Sequence, residues 1–397
     1  MSYKDNEFEQ KDFAEDFFGA EETNALNDES GRNNKSKKNN GKNKAVSIAV
    51  AVVVVIAIVC GVYFGFIRNK EEEPETSSQI TTTTTEAPVI VTNPLTGEAD
   101  YNEAAIGKRP VSVVIDNASG ARPQYNMNKA DIVVEGEVEG GETRMLWFFA
   151  DMTNLPDQIG PTRSARPSFV QFSELFDSVY VHFGGSHSKG DYVGGYEIIK
   201  QDGVDDIDGM TVSSCFRRTS DKVSPHNAVL IGENLLAAVE KKNYRTDLDD
   251  SSFSKLNFKE EVGSVSDAPC NSVTVKFSSR TNSHTFAYDG NNKTYSNQTD
   301  YGTPVSFTNL IVMYADSTYI DKSNYKGAGY TETYLNYSLT SGNGKMISCG
   351  GVVDFTWSVD NGILSFKDVN GNDLELNPGK SWIGLASANH NGSVTVE

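Results

Sequence analysis

The chain has 397 residues and a formal net charge of −19, with 35 lysine and arginine residues against 54 aspartate and glutamate residues. Its hydrophobic share of 38% is too high for a wholly disordered chain and low for a single globular body. This predicts an ordered part with polar attachments. Because a polyanion repels a strongly negative protein, the charge excludes non-specific binding to nucleic acid, and no nucleic-acid partner is expected.

Residues 45–67 form an apolar segment of 23 residues that contains no charge and no proline. At 1.5 Å per residue a helix of this length spans about 34 Å, enough to cross a hydrocarbon core of roughly 30 Å. Arg32 and five lysines precede the segment, and Glu71, Glu72 and Glu73 follow it closely. The positive-inside rule therefore predicts a single-pass protein of the cell membrane, with a cytoplasmic N-terminus and extracytoplasmic C-terminal domains.

The stretches on both sides of the apolar segment are polar. Residues 1–44 hold 8 bases and 10 acids with little apolar pattern, which predicts a disordered cytoplasmic tail. Residues 68–91 are rich in glutamate and threonine and predict an extended linker. The extracytoplasmic remainder is long enough for two hydrophobic cores, and it carries most of the acid excess.

This extracytoplasmic body divides into two halves with different patterns. In the first half, residues 92–245, β-branched runs alternate with helical patterns, which predicts an α/β domain built on a mixed sheet. In the second half, residues 246–397, short alternating runs are separated by Asn-Gly turn signals, which predicts a mostly antiparallel β domain. The predicted fold class is therefore α+β, with the single N-terminal transmembrane helix ahead of both domains.

Polar residues suited to chemistry cluster in the loops that follow predicted strands of the first half. The catalytic candidates are the residues able to move a proton at these strand ends: Asp116, Glu139 and His182. The ligand-binding candidates can donate hydrogen bonds or positive charge to an anion: Asn117, Arg122, Arg144, Arg163, Ser164, Arg166, Ser186, His226 and Asn227.

Two of these arginines, Arg163 and Arg166, lie close to the predicted N-terminus of a helix. Guanidinium groups bind carboxylate or phosphate with two parallel hydrogen bonds, and a helix N-terminus adds backbone donors and a favourable dipole. An acid-rich chain allows a second interpretation, in which the same arginines form structural ion pairs with nearby glutamates. The sequence leaves both open.

The sequence contains no complete metal-binding or catalytic motif. It has no HExxH, no P-loop and no dinucleotide fingerprint, and Ser186 does not lie in the GxSxG pattern of a nucleophile elbow. We therefore predict no metal site and no cofactor. The body holds three cysteines, Cys215, Cys270 and Cys349, so at most one disulfide can form, and buried free thiols are the expected state.

The body contains a specific ordered set of strings: NPLTG (93–97), RPVSVVIDN (109–117), ADIVVEGEVEGGETRM (130–145), IGPTRSARP (159–167), YVHFGGS (180–186), SPHN (224–227), FTWS (355–358) and SFKDVNGNDLELNPGKSWI (365–383). Together they resemble the YerB family, which are surface-anchored proteins of Gram-positive bacteria. The resemblance implies a two-domain protein whose domains are of unknown function, and it supplies no catalytic residues. Relatives are commonly lipoproteins, whereas this chain has a predicted spanning helix.

The layout of tail, single span and charged strand ends is also similar to that of the LytR-CpsA-Psr enzymes. These enzymes move glycopolymers from polyprenyl pyrophosphate onto the cell wall. The analogy implies that pyrophosphate and a divalent metal ion would be bound by Asp116, Arg122, Arg144, Arg163 and Arg166. It rests on layout alone, because no motif matches residue by residue.

Two functional hypotheses follow. In the first, the protein binds a cell-wall glycan or an anionic envelope ligand through an Arg/Asp/His cleft in the first half. In the second, it is an envelope enzyme that transfers or hydrolyses a phosphate-linked glycopolymer, and only then would magnesium take part. Convergence of Asp116, Arg163, Arg166 and His182 on one open cleft favours a functional site. Pairing of the same residues below the surface favours a structural role.

Overall fold

The computed structural model describes residues 91–99, 101–324 and 329–397, all within one compact unit. The predicted tail, the predicted membrane span and all but the last residue of the predicted linker lie outside the described residues. Within the described part of the chain, no helix combines the length and the apolar character needed to cross a membrane.

The first half alternates strands and helices, as the sequence predicts. Its strands are β1 (Val111–Asp116), β2 (Ile132–Glu137), β3 (Thr143–Phe149), β4 (Val179–His182), β5 (Asp206–Asp208), β6 (Phe216–Arg218) and β7 (Ala228–Leu230). Its α-helices are α1 (Pro167–Glu174), α2 (Gly195–Asp202) and α3 (Leu235–Lys241). Short 3₁₀ turns occupy Glu103–Ala105, Ser119–Ala121, Met127–Lys129, Glu139–Gly141, Met152–Asn154, Ser213–Cys215 and Gly232–Asn234.

The described residues of the second half form strands and no α-helix, which confirms the mostly antiparallel β prediction. The strands are β8 (Asn257–Phe258), β9 (Ser272–Lys276), β10 (Ser283–Asp289), β11 (Thr294–Asn297), β12 (Val305–Phe307), β13 (Asn309–Ala315), β14 (Ser317–Lys322), β15 (Glu332–Tyr337), β16 (Ser341–Ser348), β17 (Gly351–Asp360), β18 (Ile363–Asp368), β19 (Glu375–Leu376), β20 (Ser381–Ser387) and β21 (Ser393–Val396).

One mixed sheet of ten strands runs through both halves, in the order β18-β17-β16-β13-β20-β2-β3-β1-β4-β5. Strand β20 lies between β2 and β13 and pairs in parallel with both. All residues of β2 and β20 are buried, as expected for strands covered on both faces. The sheet therefore contains strands from both sides of residue 245, where the sequence predicts a domain boundary. That boundary stays a prediction.

Each face of this sheet carries its own hydrophobic core, and both halves contribute to each core. One face packs against α1 and α2. The other packs against α3 and a five-stranded antiparallel sheet, β12-β11-β10-β9-β21. Trp382 of β20 joins the two sheets, because its ring centroid lies 5.1 Å from that of Phe286 and 6.0 Å from that of Phe277. The length of the chain predicts two hydrophobic cores, and the two cores lie on opposite faces of the same sheet.

The three cysteines of the described region, Cys215, Cys270 and Cys349, are buried and free. Burial raises the pKa of each thiol, which keeps it protonated and unreactive near neutral pH.

Candidate functional site

Asp116 is the last residue of β1, and its carboxylate joins two loops that are distant in sequence. Its Oδ2 accepts a hydrogen bond from Nδ1 of His226 at 2.8 Å and lies 3.3 Å from Nε of Arg163. The backbone N–H of Ala118 donates to Oδ1 at 3.0 Å. Burial raises the pKa of this carboxyl, but the hydrogen bond from His226 and the charge of Arg163 outweigh it and hold the pKa at about 2. Asp116 is therefore ionised at neutral pH.

Backbone pairing brings His226 to this strand end. The backbone N–H of Thr162 donates to the carbonyl of Ala228 at 2.6 Å, which ties the loop before α1 to the start of β7. The ring of His226 packs on Gly120, where a Cβ would lie 3.0 Å from Cδ2. Among the residues that the structure describes, Nε2 of His226 has no hydrogen-bond partner, and its side chain is 26% exposed. This nitrogen is thus available to a ligand.

Cationic side chains in the surrounding loops bind mainly neutral oxygens. Arg218 donates from Nη1 to Oδ1 of Asn227 at 2.7 Å. Arg122 donates from Nη2 to the carbonyl of Asn117 at 2.8 Å, and Lys222 donates to the carbonyl of Arg122 at 3.3 Å. Burial and the nearby charge of Arg163 lower the pKa of Arg218. Positive charge therefore accumulates here without equal acidic compensation.

We call this group the Asp116 site, with the members Asp116, Arg163, Arg218, His226 and Asn227. Of the residues predicted for ligand binding, the structure brings Arg163, His226 and Asn227 to it directly. Asn117 and Arg122 lie at its border, since they follow Asp116 and hydrogen-bond to each other. Arg218 belongs to the site but was not among the predicted residues. Its place next to Asn227 depends on the β6–β7 hairpin, which the sequence pattern did not reveal.

Glu139 lies in a separate cluster of buried ion pairs. Its Oε2 accepts from Nε of Arg166 at 2.8 Å, and its Oε1 lies 3.3 Å from Nη2 of Arg144. Burial raises the pKa of Glu139, but the two guanidinium groups hold it well below its usual range. Burial, followed by repulsion from Arg166, lowers the pKa of Arg144 to about 10, and Arg144 also donates to the carbonyl of Ser164 at 2.8 Å. The ion-pair interpretation thus holds for Arg166.

His182 and Ser186 are buried in the packing around α2. Nδ1 of His182 lies 2.7 Å from the carbonyl oxygen of Gly184, and Nε2 lies 3.1 Å from Oδ2 of Asp206. The hydroxyl of Ser186 accepts from the backbone N–H of Gly195 at 2.9 Å. The His182 ring is fully buried and both ring nitrogens are engaged, so the geometry gives this catalytic candidate a structural position.

The sequence analysis missed a buried polar network centred on Glu135. This carboxylate is fully buried and contacts polar atoms from both halves of the body. Its partners are Asn117 (2.8 Å), Thr143 (2.7 Å), Tyr301 (2.7 Å), His284 (3.1 Å) and Trp382 (3.2 Å). Burial lowers the pKa of His284, but Glu135 and Asp300 outweigh it and raise the pKa to about 9. Local spacing could not have revealed the pairs with His284, Tyr301 and Trp382, because these residues lie in the other half of the body.

Two cavities among the described residues lie away from the Asp116 site. Within the described residues, no group of three or more histidine, cysteine, aspartate or glutamate side chains has the geometry to hold a metal ion. A cavity of about 380 Å³ lies between residues 250–257 and 363–376, and another of about 420 Å³ lies beside Arg109 and Asp177. Neither is lined by a member of the Asp116 site.

Comparison with protein-family models gives two matches, one in each half of the body. Residues 95–245 match the model described as "Protein of unknown function (DUF3048) N-terminal domain". Residues 273–383 match the model of the DUF3048 C-terminal domain.

A curated relative and a solved structure agree with these matches. The chain is 30% identical over 345 residues to the Bacillus subtilis (strain 168) protein named "Putative lipoprotein YerB", which covers 82% of this chain and 93% of that protein. It is also similar to the crystal structure of YerB from Bacillus subtilis, with a TM-score of 0.62 and 28% identity over 77% of this chain and 99% of that one. The resemblance that the sequence strings indicated is confirmed.

Proposed function

We propose, from the premise that this chain belongs to the DUF3048 family, that it is a membrane-associated extracytoplasmic protein which binds an anionic ligand through the Asp116 site. The name of its relative, which describes a lipoprotein, supports a position at the outer face of the membrane. In this chain the apolar segment 45–67 would be the anchor, as a single span with a cytoplasmic N-terminus. The setting that we propose is a Gram-positive cell envelope.

The observation that carries the binding proposal is the charge balance of the Asp116 site. The guanidinium of Arg163 and Nδ1 of His226 share one carboxylate oxygen, Oδ2 of Asp116. The neighbouring cations Arg122 and Arg218 hydrogen-bond to the neutral oxygens of Asn117 and Asn227. This concentration of positive charge occurs in a protein with a net charge of −19, where paired charges would be the simpler arrangement.

An anion with several oxygens would satisfy these groups. Guanidinium groups bind phosphate or carboxylate with two parallel hydrogen bonds, and such charge-assisted bonds are stronger than neutral ones. Arg163 and Arg218 would hold the anion, while Nε2 of His226 and the side-chain amide of Asn227 would be adjacent polar groups. A phosphate-bearing or acidic glycan of the cell wall has this chemistry and is the ligand class that we propose.

The enzyme alternative in its LytR-CpsA-Psr form gains no support from the geometry. That layout needs Arg144 and Arg166 as pyrophosphate-binding groups beside Asp116. Both guanidinium groups instead contact Glu139, with side-chain exposures of 7% and 12%. A ligand would have to displace the partly buried carboxylate of Glu139 to reach them, which costs several kcal/mol.

The test is a binding measurement on the full chain in detergent micelles, with inorganic phosphate and purified wall glycopolymer as probes. We expect both probes to bind, and we expect Arg163→Ala combined with Arg218→Ala to weaken binding at least about tenfold, because charge-assisted bonds are lost. Binding should also weaken as salt is raised.

The matched control is Lys367→Ala, which removes one positive charge at the far edge of the large sheet, where Lys367 pairs with Asp373 at 2.6 Å. It should leave affinity unchanged. The proposal fails if neither probe binds the unmodified chain at low salt, or if Lys367→Ala weakens binding as much as the double arginine variant does.

A further inference from the structure

We infer that Asp116, His226 and Arg163 form an acid–base unit that cleaves a phosphodiester bond in the bound anion. The inference rests on the proposed anion-binding function and extends it from binding to hydrolysis. It assigns His226 as the catalytic base, a role that the sequence analysis gave to other residues.

The contact with Asp116 fixes the tautomer of His226. Asp116 is ionised at neutral pH and can only accept hydrogen bonds, so Nδ1 of His226, 2.8 Å away, carries the hydrogen atom. In the neutral ring Nε2 then holds a free lone pair. Among the described residues nothing hydrogen-bonds to this nitrogen, and the side chain is partly exposed. A carboxylate that orients a histidine in this way is the arrangement that makes imidazole an effective base.

Charged and polar groups from three elements surround the ring of His226. From the strand end, Asp116 contacts His226, and from the loop before α1, Arg163 contacts the same carboxylate oxygen at 3.3 Å. Arg218 lies on the hairpin that carries His226 and donates a hydrogen bond to Asn227, the residue after His226. Fixed guanidinium groups beside a base suit a reaction that builds negative charge on non-bridging oxygens, as phosphoryl transfer does.

The reaction balances without an oxidant or a further co-reactant. Nε2 of His226 takes a proton from a water molecule as the water oxygen forms a bond to phosphorus. The bond from phosphorus to the leaving alcohol oxygen breaks, and the imidazolium returns its proton to that oxygen. Arg163 and Arg218 stabilise the charge on the non-bridging oxygens throughout. The products are a phosphate monoester and an alcohol.

Glu139 and His182, the other catalytic candidates, cannot act as the base in this reaction. Glu139 is held by two guanidinium groups, and both nitrogens of the His182 ring are engaged below the surface. Of the three candidates, Asp116 alone contacts a partly exposed base.

The test uses the full chain in detergent micelles with bis(p-nitrophenyl) phosphate, a phosphodiester whose cleavage releases a coloured product. We expect turnover by the unmodified chain. His226→Gln, which retains a donor for Asp116, should lower the rate by about 100-fold or more, because general-base assistance is lost. Asp116→Asn should lower it as well, because an amide no longer fixes the tautomer.

The control is His187→Gln, at an exposed histidine outside the Asp116 site, which should retain the full rate. Added imidazole should restore part of the activity of His226→Ala. It should leave the rate of the unmodified chain unchanged. If the unmodified chain binds inorganic phosphate but does not cleave the diester, hydrolysis is overturned and the binding proposal stands. If it does neither, both fail. Equal rates for His226→Gln and the unmodified chain also overturn the inference.

Discussion

Glu135 on β2 and His284 on β10 form a buried ion pair between the two halves of the body, with Oε1 and Nε2 3.1 Å apart. His284 also contacts Asp300 at 3.1 Å through Nδ1, and its ring stacks on Tyr301 at a centroid distance of 5.0 Å. On the other side, Glu135 accepts from Asn117, the residue after Asp116. A chain of polar contacts therefore links the second half to the loop that borders the Asp116 site.

The first prediction concerns the pH dependence of this ion pair. The pKa of His284 is raised from 6.5 to about 9, so its stabilising contribution is complete below pH 6.5 and is lost as the pH rises through about 9. Over that window the free energy of unfolding should fall by about 3 kcal/mol, since one unit of pKa corresponds to about 1.4 kcal/mol. Urea titrations of the full chain in detergent at several pH values measure this fall.

His284→Gln should be less stable near pH 6.5 and should lose the steep part of the pH dependence. His187→Gln, at an exposed histidine, should keep the profile of the unmodified chain. A His284→Gln variant whose stability still falls as steeply between pH 6.5 and 9 would contradict the assignment.

The second prediction compares a buried ion pair with one at the surface. Glu139→Gln leaves the guanidinium groups of Arg144 and Arg166 without their shared carboxylate, in positions that are 7% and 12% exposed. We expect a loss of about 3 to 5 kcal/mol, because an uncompensated buried charge is costly. Asp354→Asn breaks an exposed contact with Lys345 and should cost less than about 1 kcal/mol. Similar losses in both variants would contradict the burial argument.

The third prediction concerns Glu174 in α1. Burial, followed by repulsion from Asp202, raises the pKa of Glu174 from 4.5 to about 7. Its favourable contribution is therefore present below pH 4.5 and is lost as the pH rises through about 7. Glu174→Gln should be more stable than the unmodified chain at pH 8 by about 1 kcal/mol, a value reduced for solvent screening. Near pH 4.5 the two should be equal.

Urea titrations at the two pH values measure this difference. The exposed Glu240→Gln is the control and should show no pH-dependent gain. A gain of the same size for Glu174→Gln at pH 4.5 and pH 8 would point to packing rather than ionisation.

The fourth prediction concerns two glycines in different surroundings. A Cβ at Gly342 would lie 2.2 Å from the carbonyl oxygen of Tyr314 and 2.8 Å from Nε1 of Trp357. Gly342→Ala should therefore lower the free energy of unfolding by about 2 kcal/mol or more. Around Gly263 no described atom lies within 4 Å of the added carbon, so Gly263→Ala should raise stability by about 0.5 kcal/mol. Urea midpoints report both, and equal effects would refute the contact argument.

Local pattern was sufficient to predict some of the strands of the first half, among them β1 and β3, but not β6 and β7. The β-branched run VSVVID (111–116) predicts a strand and coincides with β1, and the apolar run TRMLWFFAD (143–151) predicts a strand and contains β3. The helical pattern at 168–176 corresponds to α1, which begins one residue earlier at Pro167. The sequence also predicted that polar residues follow Asp116 at a strand end. These features depend on neighbours in sequence, which a periodic pattern reports directly.

Long-range pairing was not predictable in the same way. Insertion of β20 between β2 and β13 joins segments on both sides of the predicted boundary, and every strand involved is buried throughout or nearly so, which gives no signal of a partner. Likewise, His226 reaches Asp116 across 110 residues of sequence. The sequence left open whether Arg166 binds a ligand or a glutamate, and the structure places Arg166 against Glu139.

The place of β20 has a consequence for how the protein is made. It is the twentieth of the twenty-one described strands in chain order, yet it occupies the fifth position of the ten-stranded sheet. During synthesis, β2 and β13 leave the ribosome before β20, the strand that pairs with both of them. Until then each has an open edge, the kind of surface on which chains aggregate. Synthesis must therefore reach β20, close to the end of the sequence, before the central strands of the sheet can all pair.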